Sequence, residues 1–277
     1  MLSRVRVVIV NYNAGALLLS CVRRVMQSSI LPNVIVVDNG STDGSLDLLR
    51  SAAIEGVTLV ENGQNLGFAK ANNRALRDWI EEYALLLNPD ALVQPNTLER
   101  LIAALDERLD AGMAGCLILN EDGSEQAGCR RLVPTPMRVL NGLLGGQGFN
   151  LVGMPLPAGV TTVEAISGAC MLVRRSAIEA VGLLDEGYFM HCEDLDWCMR
   201  FRQSGLAVLF VPDGTITHIK GHCSQGDNAA VEWFKHRGMI RYYSKFFRGR
   251  YPWPLLWGVY GMILLRYGWL RISKWFQ

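Results

Sequence analysis

The chain has 277 residues, half of them hydrophobic and 19% charged, which excludes a disordered or fibrous protein. It is long enough for one large domain or two small ones, burying about three quarters of its unfolded surface. The net charge of +1 hides an asymmetry: Trp233 to Gln277 holds nine Lys/Arg and no Asp/Glu, so this tail carries +9 and the remainder −8. The seven cysteines are scattered and odd in number, and the apolar run at 7–10 stops at Asn11, too short for a secretory signal. A reducing cytosol is the expected compartment. Cys192 and Cys198 stand about 240° apart round a helix and form no C-x-x-C knuckle, so a structural zinc with His218 and His222 is not expected.

In chain order, "VRVVIV" (5–10) reads as a buried strand and 14–28 as a helix, followed by "NVIVVD" (33–38) as a strand and 45–53 as a helix. "VTLVE" (57–61), a helix over 69–82, "YALLLN" (83–88), a helix over 96–109 and "AGMAGCLIL" (111–119) continue the alternation. Short apolar strands separated by helices of 10–15 residues predict βαβ units and a mainly parallel sheet covered on both faces. Residues 120–160 are rich in Gly and Pro and read as loops with one short helix. "VTTVEAISGACMLVRRSAIEAVG" restores strand then helix, and a further helix starts within 189–200 and runs to about Gly205. "LAVLFVPDGTITHI" predicts two short strands, and "AAVEWFKHRGMIRYYSKFF" a helix.

The end of the chain has eleven uncharged residues between Pro254 and Arg266, too few to span a bilayer. Trp, Tyr and Arg interleave there without an acid, which predicts an amphipathic helix on an anionic membrane surface. The competing reading is a helix docked on its own domain or on a second copy. The aromatics are accompanied by Leu, Ile and Val, so nucleic acid is not an expected partner. The expected division is a catalytic unit over 1–227 and a basic, aromatic helical tail over 228–277.

Ligands of open α/β sheets sit at the carboxyl ends of the strands. Those ends read Val10-Asn11, Asp38-Asn39, Glu61-Asn62 and Asn88-Pro89-Asp90. Asn39-Gly40 alone suggests a hairpin, but the helical pattern after it makes a strand–turn–helix corner, with Ser41 or Thr42 as N-cap. Asp38 either completes that turn or accepts hydrogen bonds from a nucleotide base. Pro89 stops its strand and brings Asp90 to the rim. No G-x-G-x-x-G follows the first strand and no P-loop appears, so a bound phosphate needs a metal held by Asp90, or a basic side chain. "GLLGGQG" (142–148) follows no clear strand. "FMHCEDLDWCMR" (189–200) crowds Glu193, Asp194 and Asp196 among aromatic and sulfur side chains at a helix start, where the macrodipole favours anions. Asp194 and Asp196 point about 200° apart, so one can point to solvent while the other enters a cleft.

Six segments, in order, carry a family resemblance: "VVIVNYNAGALLLSCV", "VIVVDNGSTDGSLDLL", "ENGQNLGFAKANNRAL", "YALLLNPDALV", "AISGACMLVRRSAIEAVGLLDEGYFMHCEDLDWCMRFRQSGL" and "ITHIKGHCS". Together they resemble a family-2 inverting glycosyltransferase of the glycosyltransferase A-type fold, and within that family the bacterial rhamnosyltransferases of cell-surface polysaccharide assembly. The resemblance implies an α/β, Rossmann-like catalytic domain with a C-terminal helical extension. It implies that Val10, Asn11 and Asp38 hold the base, and that Asn65, Gly67 and Lys70 line the nucleotide site. Asn88 would lie near the ribose. Asp90 stands in the family's D-x-D, with Asn in place of the first acid, and would hold Mg²⁺ or Mn²⁺ on the diphosphate; His218 would complete the metal site. Asp194 matches the catalytic base, with Glu193 beside it and apolar cover from Met190 and Trp197 raising its basicity.

The implied donor is dTDP-L-rhamnose, with UDP-sugars as runner-up. The implied acceptor is a saccharide or lipid-linked saccharide at the inner face of the cytoplasmic membrane. A sugar-1-phosphate nucleotidyltransferase would carry a glycine-rich, basic loop after strand one, where "NYNAGALL" has one Gly and no Lys/Arg. A non-catalytic nucleotide-sugar binder would have no use for Glu193-Asp194.

Overall fold

A computed structural model describes residues 3–144, 151–219 and 228–273. Most of the glycine-rich run at 142–148, and His222 and Cys223 of the last motif, lie outside the described residues. The chain begins β1 (Val5–Asn11), α1 (Ala16–Met26), β2 (Asn33–Asp38), α2 (Ser45–Ser51), β3 (Val57–Glu61), α3 (Phe68–Leu76), β4 (Tyr83–Leu87), β5 (Ala91–Val93), α4 (Thr97–Glu107) and β6 (Ala111–Leu119). It continues with β7 (Arg130–Arg131), α5 (Pro136–Leu143), β8 (Thr161–Val163), β9 (Ala165–Ile166), β10 (Cys170–Arg174) and α6 (Arg175–Val181). The last elements are α7 (Glu193–Gln203), β11 (Ala207–His218), α8 (Asn228–Phe246) and α9 (Trp253–Ser273).

The main sheet has the order β3-β2-β1-β4-β10-β6-β11-β5, with β8 on β11. β1 to β4 pair in parallel. Their Val, Ile and Leu side chains are buried almost without alternation in β1, β2 and β4, as a strand covered by helices on both faces requires. β10 runs the other way, with Cys170 level with Leu87 of β4. This reversal carries the preceding loop, 167–169, to the edge where the parallel strands end.

Three local expectations are corrected. "LAVLFVPDGTITHI" forms one strand rather than two: Val211 pairs with Cys116 and Thr215 with Leu117, so Pro212-Asp213-Gly214 bulge out and the ladder resumes. α3 ends at Leu76 rather than at 82, where Glu81 turns inward to Arg6 at 3.1 Å and Asn33 at 2.6 Å. α2 starts from Gly44 in a left-handed conformation, not from Ser41 or Thr42, because the Ser41 hydroxyl is engaged with Asp38.

The tail is both packed and exposed. α8 buries Tyr242, Tyr243 and Phe246, and crosses the expected boundary at 227 through ion pairs. Lys245 reaches Asp185 at 2.7 Å and Asp196 at 2.6 Å, and Arg241 reaches Asp185 at 2.8 Å. α9 lies on α8, with Tyr260 Oη 2.9 Å from Ser244 Oγ, and buries Leu256 and Val259. Its outer face exposes Trp253, Trp257, Leu264, Leu265, Trp269 and Ile272. No helix of the described residues is long and apolar enough to cross a membrane.

The loop after β3 meets the acid-rich segment at close quarters. Phe68 N–H donates to Phe189 O at 2.8 Å, and a Cβ on Gly67 would fall 2.5 Å from that oxygen, at a φ of +82°. Gly67→Ala is therefore expected to lower stability by more than about 1 kcal/mol, through strain and the forced separation of two loops. Denaturant unfolding checks it; an unchanged midpoint would show that the contact gives way without cost.

Candidate active site

The β5–β11 pairing places Asp90 and His218 together. His218 pairs with Ala91 across the ladder, and Ile219 N–H donates to Asp90 O at 3.0 Å. Both side chains are buried, with His218 Nε2 3.0 Å from Asp90 Oδ1 and Asn88 Nδ2 3.3 Å from the same nitrogen. The other ring nitrogen, Nδ1, meets Gln126 Oε1 at 2.7 Å, while Gln126 Nε2 donates to Asn120 Oδ1 and His218 O. Gln126 thus presents its oxygen to the ring and fixes Nδ1 as a donor.

With Nδ1 engaged by Gln126, Nε2 and the Asp90 carboxylate oxygen are the atoms that would hold a cation between them. A histidine whose second nitrogen donates to a carbonyl is the usual arrangement of a metal ligand. Asp90 and His218 are of the right type to be two of the ligands of a divalent ion. Among the described residues no cluster of three or more His, Cys, Asp or Glu forms a complete protein cage.

The three acids at the start of α7 go three ways. Asp194 Oδ2 accepts from Arg131 Nη2 at 2.5 Å and from Gly168 N–H at 3.2 Å, and its Oδ1 accepts from Leu195 N–H at 2.7 Å. A carboxylate has about four lone-pair positions, so one remains, on Oδ1. Neither of the two opposed acids points to solvent, as expected for one of them: Asp196 is fully buried because Arg200, at 2.7 Å, and Lys245 pair with it inside the fold. Glu193 is buried, and its Oε2 finds no hydrogen-bond partner among the described residues. Burial, aided by the neighbouring Asp194 charge, pushes the Glu193 carboxyl up to about 8. Just before these acids, His191 and Cys192 hold left-handed φ angles of 67° and 71°, uncommon for such residues.

Asp90 and Asp194 share one edge of the sheet. Asn88 N–H donates to Ala169 O at 3.0 Å, and the adjacent Gly168 N–H donates to Asp194. The β4 end and the α7 start are thus joined through two consecutive residues ahead of β10.

The expected nucleotide wall lies along the same edge. Val10 and Asn11 close β1, and Asn11 Nδ2 donates to Asp38 Oδ1, Ser41 Oγ and Ser45 Oγ at 2.8–2.9 Å. Asp38 also accepts from Gly40 N–H, Ser41 N–H and the Ser41 hydroxyl, so its lone pairs are taken up within the β2–α2 corner. Asn65 Oδ1 accepts from Gly67 N–H and Asn39 Nδ2, and Asn39 Oδ1 accepts from Asn62. This asparagine chain ties the β2 and β3 loops together. Lys70 is exposed on the first turn of α3.

Arg131, Gln126 and Gly168 enter the site without having been marked in the sequence. A pair of arginines in "AGCRRLVP" is a weak signal of a charge needed by some acid, but nothing in the spacing says that the acid is Asp194. Gln126 carries no signal at all.

Glu193 sets a pH dependence of stability. Its folded carboxyl keeps a proton that the unfolded chain gives up near the ordinary value of 4.5, so stability is highest below that range and falls as pH rises toward about 8. Glu193→Gln should flatten the decline in urea midpoints across this window; an unchanged slope would assign it to other groups.

The model of the family described as glycosyl transferase family 2 matches residues 6–182. An N-acetylglucosaminyl-diphospho-decaprenol L-rhamnosyltransferase of Mycobacterium tuberculosis (strain ATCC 25618 / H37Rv) is 30% identical over 257 residues, covering 84% of this chain and 81% of its own. The dTDP-rhamnosyl transferase RfbF of Shigella flexneri is 29% identical over 216 residues, covering 76% and 67%. The mannosyltransferase PcManGT of Pyrobaculum calidifontis, solved with GDP-Man and Mn²⁺, superposes with a TM-score of 0.63 at 20% identity, covering 97% of this chain and 72% of that one. Such structural likeness speaks for the fold, and the sequence matches for the family. The chain is a member of glycosyl transferase family 2, a hexosyltransferase of the glycosyltransferase A-type fold.

Proposed function

We propose that this enzyme moves L-rhamnose from dTDP-rhamnose to a saccharide or lipid-linked saccharide in cell-surface polysaccharide synthesis, with inversion at the anomeric carbon. The observation that carries the reading is the joined edge: the Asn88–Asp90 turn and Asp194 are bonded to adjacent residues, Ala169 and Gly168. The activities by which the relatives in M. tuberculosis and S. flexneri are named, both rhamnosyl transfer, support this choice of sugar. Family membership does not favour a nucleotidyltransferase or a silent binding protein.

The base lies against the ends of β1 and β2, with Asp38 acting through the corner it holds together. Asn65 and Gly67 shape the next wall, Lys70 leans toward the diphosphate, and Asn88 lies by the ribose. Asp90 and His218 would hold Mg²⁺ or Mn²⁺, which supplies Lewis-acid neutralisation of the departing nucleoside diphosphate. Mn²⁺ is bound with a nucleotide sugar in the PcManGT structure. Asp194 takes the acceptor hydroxyl proton on the open position of Oδ1 as the oxygen attacks opposite the leaving group. Arg131 and Gly168 N–H fix the other oxygen, so the carboxylate is held in one orientation. Glu193 backs the site as a buried acid that shapes the local field. The exposed aromatic face of α9 and the acid-free tail bring the enzyme to an anionic membrane surface, on the cytoplasmic side.

Asp194→Asn should fold normally and lose transfer by at least ~100-fold, as expected when a general base is removed. Near-normal turnover would withdraw the base assignment. Asp90→Ala should weaken dTDP-rhamnose binding only when Mn²⁺ is present; equal affinity with and without EDTA in the unaltered enzyme would withdraw the metal.

A further inference from the structure

A second cleft, of about 400 Å³, opens between the 133–138 segment, the carboxyl-terminal half of α7 and the turn that joins α8 to α9. Arg138, Arg202 and Arg250 line it together with one acid, Glu164. Glu164 is spoken for: it pairs with both terminal nitrogens of Arg138, accepts from Val133 N–H at 2.7 Å, and lies 3.8 Å from Arg202. Arg250 pairs with no carboxylate among the described residues. The cleft thus holds an excess of two guanidinium charges. Guanidinium forks suit phosphate oxygens, which they bind two at a time.

The rim of the cleft indicates where such a phosphate comes from. Arg250 and Tyr251 lead directly into α9, whose first turns leave Trp253 and Trp257 exposed by 73% and 67%. On the other side α5, which packs against α9, exposes Met137, and Leu144 just past its end is exposed too. An arginine-lined hollow bordered by exposed tryptophan and aliphatic side chains matches the boundary of a bilayer, where phosphate meets hydrocarbon. A soluble phosphate would have no use for that apolar border.

We propose that this cleft is a binding site for the phosphate of a membrane lipid, held by Arg202 and Arg250 beside Arg138 while the lipid chain lies along Trp253 and Trp257. The site is separate from the metal and base residues, with Arg202 two turns of α7 beyond Asp194. It rests on the membrane reading above for the placement of α9, and on nothing in the transfer reaction.

The full chain is sedimented with vesicles of phosphatidylcholine alone, or containing phosphatidylglycerol or a polyprenyl diphosphate, with inorganic pyrophosphate as competitor. Capture by the charged vesicles that pyrophosphate weakens, and that R202E/R250E reduces at least tenfold, supports the site. Capture by phosphatidylglycerol makes the source bulk phospholipid; capture by the polyprenyl diphosphate alone makes it a lipid-linked diphosphate.

The double variant should keep the dTDP-rhamnose-induced shift of the unaltered enzyme, from a melting temperature lowered by the loss of the Arg202–Glu164 contact. R266E/R271E, which changes tail charge away from the cleft, should lose much less. Equal loss in the two double variants, undiminished capture of R202E/R250E, or pyrophosphate binding without vesicle capture would each overturn the proposal. Loss of capture in Trp253→Ser/Trp257→Ser with retention in R202E/R250E would remove the cleft while leaving membrane docking intact.

Discussion

Reversal of β10 between two strands of opposite direction, β4 and β6, is the constraint on which the site depends. Had the strand run parallel to β4, the loop before it would emerge at the far edge of the sheet. Running antiparallel, it sets Cys170 level with Leu87 and delivers Gly168 and Ala169 to the place where β4 gives way to Asn88. Two backbone groups then do the joining: Ala169 O receives Asn88 N–H, and Gly168 N–H meets Asp194. Backbone bonds of this kind leave side chains free for substrate, and they hold as long as the ladder holds.

The same economy governs the acids of α7. Three carboxylates at one helix start favour the macrodipole but repel one another. The fold separates them by giving each a different setting: Arg131 for Asp194, Arg200 and Lys245 for Asp196, and burial for Glu193. Lys245 belongs to α8, so the tail helix takes part in placing the acids through Asp196 and Asp185. Gly238 allows α8 to come close enough, since a Cβ there would stand 2.9 Å from His191 O.

The sheet was legible in the sequence because its signals are local: β-branched runs, helical spacing and Pro89 at a strand end. The acids were legible for a similar reason, since a cluster of charge among Phe, Met and Trp is improbable without a task. What the sequence withheld was pairing at long range. Arg131 lies 63 residues from Asp194, and Gln126 lies 92 from His218, so no window of spacing contains either pair. The Ser41 expectation went astray at short range, because a hydroxyl three residues after Asp38 is as well suited to a turn as to a helix start. The tail was half legible: its composition left a membrane surface and docking on its own domain as alternatives, and one face of α9 is indeed spent on α8.

The bulge in β11 has a consequence for how chains of this kind change length. Side chains along a strand alternate between faces, so adding one residue to a regular ladder would turn His218 away from Asp90. Here Pro212, Asp213 and Gly214 have already left the ladder, and Thr215 resumes opposite the next residue of β6. Insertions or deletions confined to those three positions leave the parity of 215–218 untouched, so the outer rim can drift while the histidine keeps its aim.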